Sequence, residues 1–276
     1  MSYPLKIFCD WMLPINLFFD EPVELYVDKI HRAQSSVKKI LLLVEPDDLM
    51  HFSDWVIQNH DQYFVILTHE EKILNVCPNA VLMEFGPPWI RTYSFPQKTF
   101  SVSTVVGSKK QLAGHWLRLQ LWKRQNEITI PKKFFLSNRG GNIFSRWRHC
   151  LTQRHALSLG ESKLPLFESQ FHIAIENCKK TYWFTEKVMD CFQTKTIPIY
   201  WGCPNIGSYF DTRGMFLVES VDEIIQVCNA LTSNMYAEME MFVEVNHQKA
   251  KSYIDFSNRV KEKIETLMWT KHEYEK

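Results

Sequence analysis

With 276 residues, of which 45% are hydrophobic, the chain is long enough for two small domains with well-buried cores, and this excludes general disorder. The 32 basic and 31 acidic residues give a net charge of +1, so we expect no nucleic-acid partner and no electrostatic capture by anionic membranes.

No apolar run reaches the roughly 18–20 residues that cross a bilayer, and no signal peptide is predicted. We therefore expect a cytoplasmic protein, soluble or peripherally membrane-associated, without an integral membrane segment. The seven cysteines show no C-x-x-C spacing, so neither a zinc site nor a disulfide framework is predicted, and we expect reduced, buried thiols.

Apolar runs of strand length alternate with helical patterns in the first third of the chain. Strands are expected at residues 5–9, 40–46, 62–68 and 80–85, and helices at 22–36 and 52–59. Polar residues follow the predicted strands at their C-terminal ends. This alternation predicts a doubly wound parallel sheet for residues 1 to about 95.

A second α/β pattern begins after a linker at residues 89–98. Strands are expected at residues 100–106, 132–136, 171–175, 196–201 and 215–218. Helices are expected after the turn at 107–110 and at 185–195, 221–231, 235–245 and 256–269, with a loop at 137–142 and an irregular stretch at 146–160. The predicted fold class is therefore α/β, with two Rossmann-like domains facing across a cleft.

A phosphate group, if one is bound, has to be held without a glycine-rich loop. The nine glycines form neither G-x-G-x-x-G nor G-x-x-x-x-G-K, which disfavours NAD enzymes and P-loop NTPases. Thr185 is a plausible N-cap, and Lys187 in the first turn after it is placed to hold a phosphate, with Glu186 beside it for ribose hydroxyls. Arg118, beyond the strand at 100–106, is placed for a second phosphate oxygen. The alternative for all three charged residues is an ordinary solvated helix surface.

Carboxylates at the ends of the first strands are candidates for a general base. Glu45 ends a strand that is expected to be buried, and partial burial would raise its pKa towards a useful value. Glu70 and Glu71 on the next strand are equivalent alternative candidates for the general base, and His69 is a further one. The alternative is that each is a satisfied or solvated loop residue.

Adjacent Asp47 and Asp48 do not form the D-x-D spacing of a metal-binding motif, so no metal site is predicted. Glu176 and Asn177 end a strand in the second half, where they could orient a sugar or a base, or simply cap the following turn.

Three sequence blocks resemble the donor-binding signature of the α-1,3/1,4-fucosyltransferases, glycosyltransferase family 10. The family motif runs F-x-x-x-x-E-N, then Y-V/I-T-E-K, then V/I-P-V/I-Y-W-G. The matching blocks here are Phe171-x-x-Ala174-x-Glu176-Asn177, Trp183-Phe184-Thr185-Glu186-Lys187 and Ile197-Pro198-Ile199-Tyr200-Trp201-Gly202. Trp183-Phe184 replaces the usual Tyr-Val/Ile, and Ile175 replaces a usual Phe. The strong match covers about residues 171–220, and a weaker one extends back to 100–118.

The resemblance implies a GT-B-like, inverting and metal-independent enzyme that transfers fucose from GDP-fucose to a glycan hydroxyl. Its partners would be a nucleotide-sugar donor and a glycan acceptor, with no cofactor. Lys187 and Arg118 would neutralise the departing GDP, and the other donor-binding residues would be Glu176, Asn177, Trp183, Thr185 and Glu186. Glu45 would be the general base, with Glu70 as the alternative.

The resemblance also assigns tasks to the predicted domains. Residues 1–95 would form the acceptor-side domain, 96–245 the GDP-sugar domain, and 246–276 a C-terminal helix packing back on both. Two other functions stay open. One is the same fold with another nucleotide sugar, such as GDP-mannose, and the other is a catalytically silent protein that binds nucleotide sugars or glycans.

Overall fold

The chain forms two units, each with its own parallel sheet. The computed structural model describes residues 2–30, 37–95, 97–137 and 157–274. The first unit comprises Met1–Pro87, Lys180–Trp183 and Asp255–Lys276, and the second comprises Pro88–Lys179 and Phe184–Ile254. The domain ranges drawn from the sequence stay a prediction.

The sheet of the first unit has five parallel strands in the spatial order β2-β4-β5-β6-β7. The first unit contains, in chain order, β1 (Tyr3–Pro4), β2 (Lys6–Phe8), β3 (Phe18–Phe19), β4 (Val23–Val27), β5 (Lys38–Leu42), β6 (Val65–Thr68) and β7 (Ala80–Leu82), with β1 and β3 forming a separate antiparallel pair. Three short helices follow these strands: α1 (Asp47–Met50), α2 (Ser53–Gln58) and α3 (Glu71–Val76). Ile40 and Leu42 join one core cluster and Leu41 joins another, as expected when both faces of a strand are covered.

The helix predicted at residues 22–36 is wrong where the structure describes it. Val23–Val27 is a central strand, β4, with Val23, Leu25 and Val27 on one face and Tyr26 on the other. Because both faces of this strand are buried, its apolar residues also fall at helical spacing. The spacing of apolar residues alone therefore does not distinguish a helix from a strand here. Valine at both ends of the segment suits a strand. Residues 31–36 lie outside the described part of the chain.

The sheet of the second unit has six parallel strands in the order β10-β9-β8-β11-β12-β13. They are β8 (Thr99–Val106), β9 (Lys132–Leu136), β10 (Leu157–Ser158), β11 (Ser169–Ile175), β12 (Ile197–Trp201) and β13 (Phe216–Leu217). The helices are α4 (Ala113–Lys123), α5 (Glu186–Gln193), α6 (Val221–Ala230), α7 (Met235–Glu238) and α8 (Glu240–Lys251). The segment predicted as one helix at 235–245 is therefore two helices. Most of the predicted loop at 137–142 and of the irregular stretch at 146–160 lies outside the described residues.

The last helix, α9 (Phe256–Tyr274), completes the first unit. Phe256, Val260, Ile264 and Met268 recur every fourth residue and join the core cluster around β4 and β5. Arg259 fixes the helix by donating to the carbonyl of Phe85 at 2.9 Å. The first unit thus combines residues 1–87 with the late segment 255–276 and the short segment Lys180–Trp183.

The described residues bear on two expectations, the absence of a membrane-spanning segment and the reduced state of the cysteines. None of the helices in the described ranges is long and apolar enough to cross a membrane. The six described cysteines are free thiols, and the seventh, Cys150, lies outside the described ranges.

Candidate functional site

Glu176 lies at the centre of a polar cluster at the C-terminal end of β11. It is fully buried, and its backbone N–H donates to the carbonyl of Trp201 at 2.8 Å, which continues the ladder between β11 and β12. Its carboxylate accepts the Thr185 N–H at 2.8 Å and the Thr185 hydroxyl at 2.7 Å. Lys187 Nζ lies 3.4 Å from the same carboxylate. Glu176 therefore fixes the residues that begin α5.

Thr185 is the N-cap of α5, as predicted. Its hydroxyl oxygen accepts the Lys187 N–H at 3.4 Å and Lys187 Nζ at 3.0 Å. One hydroxyl thus joins the buried Glu176 carboxylate to the lysine. The first backbone N–H groups of α5 and the positive end of this helix lie beside the lysine, which is a favourable setting for an anion.

Lys187 and Glu186 are both held in their charged forms. Burial opposes the charge of Lys187, but Glu186 and Glu176 outweigh it and raise the lysine pKa above its usual range. Burial also favours the neutral form of Glu186, but Lys187 at 3.4 Å and Lys163 at 3.5 Å lower its pKa to about 2. Glu186 is therefore a permanently ionised acceptor at neutral pH.

Lys163 extends the cluster through Asp190. Its Nζ lies 3.2 Å from the buried Asp190 carboxylate and 3.8 Å from the centre of the Trp89 ring. Asp190 also accepts the backbone N–H groups of Trp89 and Ile90 at 2.7 and 2.9 Å. This arrangement ties the start of the second unit to the inner face of α5. Neither Lys163 nor Asp190 was predicted. Lys163 reaches the Glu186 side chain only through the fold, whereas Asp190 lies four residues after Glu186 on the same helix and could have been found from that spacing.

Arg118 is a cation held by neutral groups. Its Nε donates to the Gly114 carbonyl at 3.1 Å and its guanidinium donates to Asn177 Oδ1 at 2.5 Å. Burial lowers its pKa, although Glu176 and Glu186 act against this, and a guanidinium stays protonated at neutral pH. Among the residues that the structure describes, no carboxylate lies within ion-pair distance of Arg118. Its charge is therefore available to an anionic ligand.

His115 was missed by sequence analysis. It is buried in the first turn of α4, where the Leu112 N–H donates to its Nδ1 at 3.1 Å. Burial, followed by the charges of Arg118, Lys109 and Lys187, lowers its pKa to about 4, and its side chain also hydrogen-bonds Asn177. With Nδ1 accepting, the neutral ring carries its proton on Nε2. A polar side chain in the first turn of the helix that is predicted after residues 107–110 is the signal that could have identified it.

Gly114 allows α4 to approach the end of β11 directly. Its N–H donates to the Asn177 carbonyl at 2.9 Å, and a Cβ at this position would lie 1.7 Å from the Glu176 carbonyl oxygen. Position 202 likewise has no room for a side chain, because a Cβ there would lie 2.5 Å from Glu176 Cγ. Both glycines are needed for close packing around Glu176.

Replacing Gly114 by alanine is expected to lower the free energy of unfolding by about 3 kcal/mol or more, because backbone atoms obstruct the new methyl group. Urea denaturation followed by tryptophan fluorescence measures the loss. Gly107→Ala is the matched control, since its nearest side-chain atom would be 4.0 Å away. Equal stabilities of the two variants would contradict the packing described here.

The two predicted base candidates in the first unit differ in exposure. Glu45 is exposed, so the partial burial expected for it is absent, and its N–H donates to Asp28 Oδ1 at 3.1 Å. Glu70 is buried and accepts the Asp47 N–H at 2.6 Å, with Lys180 Nζ at 3.3 Å from its other oxygen. The role of either residue as a base stays a prediction.

Trp183 lies in the first unit, within the short segment Lys180–Trp183. It is buried, and its indole N–H donates to the Val44 carbonyl at 3.1 Å. Its ring centre lies 6.2 Å from that of the buried His69, whose pKa is lowered to about 3 by burial and by Lys180. The donor-positioning role predicted for Trp183 stays a prediction.

The structure therefore divides the predicted residues into two groups. Glu45, Glu70 and Trp183 belong to the first unit. One cluster of the second unit, which we call the β11–α5 cluster, contains Arg118, Glu176, Asn177, Thr185, Glu186 and Lys187. It combines two cations with a helix N-terminus, as sites for phosphate groups do. Within the described ranges, no group of three or more His, Cys, Asp or Glu side chains is placed to hold a metal ion. The expected metal independence stays a prediction.

Comparison with known proteins supports a glycosyltransferase fold. No family model matches the sequence. An alpha-(1,3)-fucosyltransferase, FucT of Helicobacter pylori, is 30% identical over 93 residues, which are 32% of this chain and 20% of that protein. The match thus spans about a fifth of the relative's length.

Solved structures match over most of the chain. An alpha1,3-fucosyltransferase with GDP-fucose superimposes with a TM-score of 0.51 at 15% identity, covering 87% of this chain and 78% of that one. A glycosyltransferase from Rickettsia africae superimposes with a TM-score of 0.58 at 12% identity, covering 89% and 76%. The structural neighbours include GT-B glycosyltransferases, so the predicted α/β, GT-B-like fold class with two Rossmann-like domains is confirmed.

Proposed function

We propose that the protein is an inverting, metal-independent glycosyltransferase that transfers fucose from GDP-fucose to a glycan hydroxyl. The observation that carries this proposal is the β11–α5 cluster, in which Lys187 and Arg118 lie at the end of β11 beside an ionised Glu186. The matched Helicobacter pylori relative is an alpha-(1,3)-fucosyltransferase, and one structural neighbour contains GDP-fucose. These likenesses support the choice of donor.

In this proposal the two cations stabilise the departing GDP. Breaking the bond between fucose C1 and the diphosphate builds negative charge on a phosphate oxygen, and fixed positive groups lower the energy of that state. Arg118 has the planar fork that binds two phosphate oxygens, whereas Lys187 supplies a compact charge. Lys187 is already oriented by Thr185 and Glu176, so little reorganisation is needed.

Glu186 and Asn177 position the nucleotide part of the donor in this proposal. Glu186 is suited to accept ribose hydroxyls, because its low pKa keeps it an acceptor throughout the physiological pH range. Asn177 is oriented by Arg118 and His115, which both engage its side chain. Glu176 and Thr185 act by holding Lys187 and the start of α5.

Inversion also requires a base that removes the proton of the acceptor hydroxyl. We place this base in the first unit, where Glu45 and Glu70 lie after β5 and β6. No cofactor takes part in the proposed reaction.

A thermal-shift screen with GDP-fucose, GDP-mannose, UDP-N-acetylglucosamine and GDP tests the donor. We expect GDP-fucose and GDP to stabilise the protein, because a ligand at 100 times its Kd adds about 2.7 kcal/mol. A preference for GDP-mannose or for the UDP-sugar would contradict the proposed donor.

GDP release from GDP-fucose, with lactose and N-acetyllactosamine as acceptor probes, separates an enzyme from a silent binder. Release above the rate without protein is expected, and it should be unchanged by EDTA. Tight GDP-fucose binding without release across a wider glycan panel would favour the silent binding protein. Inhibition by EDTA that Mn²⁺ reverses would contradict metal independence.

A further inference from the structure

Trp89 is an exposed aromatic residue whose main chain is held in place by a buried carboxylate. The residue is 53% exposed, whereas its neighbours Pro88 and Ile90 are buried. The N–H groups of Trp89 and Ile90 donate to Asp190 Oδ1 at 2.7 and 2.9 Å, and Asp190 is fully buried in α5. The exposed indole ring is thus carried by a fixed segment of the second unit.

Lys163 fixes the ring itself. Its Nζ lies 3.8 Å from the centre of the Trp89 ring, which is a cation–π contact. The same ammonium group pairs with Asp190 Oδ2 at 3.2 Å and with Glu186 Oε1 at 3.5 Å. Both the backbone and the ring of Trp89 are therefore anchored to α5. A ring held in this way loses little conformational freedom when a ligand stacks on it.

The anchored ring lies close to the carboxylate that is proposed to bind ribose. Trp89, Lys163, Glu186 and Asp190 all belong to the second unit. One ammonium group is 3.8 Å from the ring centre and 3.5 Å from Glu186 Oε1, so those two points are no more than about 7 Å apart. A nucleoside has a comparable span from its ribose hydroxyls to a ring stacked on its base. The base of a nucleotide whose ribose is held by Glu186 is therefore within reach of Trp89.

A stack on Trp89 supplies an apolar contact that the β11–α5 cluster lacks. Every member of that cluster is a polar or charged residue, suited to the diphosphate and the ribose. Every nucleobase has a π face, which binds an aromatic side chain through apolar area and dispersion. A purine lays two fused rings on the indole and a pyrimidine lays one, so this contact favours a purine nucleotide.

We propose that Trp89 is the platform on which the purine base of the donor nucleotide stacks. Lys163 and Asp190 are positioning residues in this arrangement, because they act on the base through the ring that they hold. The inference rests on the proposed function and deepens it, since it assigns selectivity for GDP over UDP to one side chain.

Phe95 offers a matched comparison, since it is also an exposed aromatic residue beneath a lysine. It is 44% exposed, and Lys195 Nζ lies 4.8 Å from its ring centre. Lys195 follows the C-terminal end of α5, and its ammonium group pairs with Glu244 at 2.6 Å. Phe95 thus has the same kind of contact at the other end of the helix from Glu186.

Trp89→Leu tests the proposal, with GDP and inorganic pyrophosphate as the two probes. Isothermal titration calorimetry should give a Kd for GDP that is about 10-fold higher than that of the wild type, because the stack is lost. The Kd for pyrophosphate, which has no base, should stay at the wild-type value. Trp89→Phe keeps an aromatic face and should recover most of the GDP affinity. Phe95→Leu should bind both probes like the wild type.

UDP tests the selectivity for a purine. The wild type should bind UDP more weakly than GDP, and Trp89→Leu should reduce this difference, because the purine loses the larger stack. The Tm of Trp89→Leu should stay near that of the wild type, since the ring is already exposed in the folded protein. Equal wild-type affinities for GDP and UDP, or tighter binding of UDP, would overturn the purine stack.

The stacking role and the proposed function fail on different results. Unchanged GDP affinity in Trp89→Leu, or an equal loss for GDP and pyrophosphate, overturns the role of Trp89 and leaves the proposed function in place. The same conclusion follows if the wild type binds GDP no more tightly than pyrophosphate. If the wild-type protein binds neither GDP nor pyrophosphate, the proposed donor site itself fails, and the role of Trp89 fails with it.

Discussion

Replacing Lys187 by methionine is expected to weaken GDP binding by about 10- to 100-fold and to stop GDP release from GDP-fucose. A charge-assisted contact to a phosphate contributes about 1.5–3 kcal/mol, and each 1.4 kcal/mol is a factor of ten in affinity. The effect on turnover should be larger than that on GDP affinity, because the negative charge on the phosphate oxygen develops in the transition state. Isothermal titration calorimetry with GDP measures the affinity, and the rate of GDP release from GDP-fucose measures the turnover.

Lys187 also neutralises Glu186 and Glu176, so its loss could weaken binding by disturbing the start of α5. The double variant Lys187→Met with Glu186→Gln removes one charge of each sign, and we expect it to recover much of the Tm without recovering GDP affinity. Lys179→Met is the surface control, because Lys179 pairs only with the exposed Glu219 in the described structure, and it should bind GDP normally. Arg118→Met should behave like Lys187→Met. Normal GDP affinity in both the Lys187 and the Arg118 variants would contradict the proposed donor site.

Strands of the two sheets could be predicted because buried parallel strands are continuous apolar runs. Residues 40–44 and Ile197–Trp201 have few polar interruptions, and both are buried where predicted. The same property explains the failure at Val23–Val27. A short segment that is covered on both faces has no polar face, and only the pairing with β2 and β5 identifies it as a strand.

The β11–α5 cluster could be predicted in part because its members are close in sequence. Glu176, Thr185 and Lys187 lie within twelve positions on consecutive elements, so a local motif records their arrangement. Contacts between residues far apart in the sequence are not marked by a local motif and could not be predicted. Trp183 reaches Val44 across 139 positions, and this contact places its side chain in the first unit.

Asp28 shows a third kind of limit. Its position depends on recognising β4 as a strand, since only then does the residue after Val27 fall at the carboxyl edge of the sheet. Its interaction with the N–H groups of Val44 and Glu45 depends on β5 lying beside β4. An error in one element of secondary structure thus concealed the hydrogen bonds that link the end of β4 to the residues after β5.

Truncating Glu176 to alanine is expected to lower the free energy of unfolding by about 3–5 kcal/mol, the usual result of removing one partner of a buried ion pair. Glu176 is completely buried, and its removal leaves the Thr185 N–H and hydroxyl without their acceptors and Lys187 without one of its two counter-charges. The expected consequence is a loosened start of α5 and weaker GDP binding. Urea denaturation with fluorescence and calorimetry with GDP measure the two effects.

Glu176→Gln distinguishes the charge of this residue from its shape. Glutamine keeps an oxygen for the Thr185 N–H but directs an amide N–H₂ group towards the hydroxyl and Lys187, so we expect a loss of about 1–3 kcal/mol. Glu219→Ala is the matched control, since an exposed ion pair with Lys179 should contribute at most about 1 kcal/mol. If Glu176→Ala were as stable as this control, the carboxylate would not organise the cluster. Lys187 would then have to be positioned by Glu186 and the Thr185 hydroxyl, and Glu186→Gln should produce the loss of GDP binding instead.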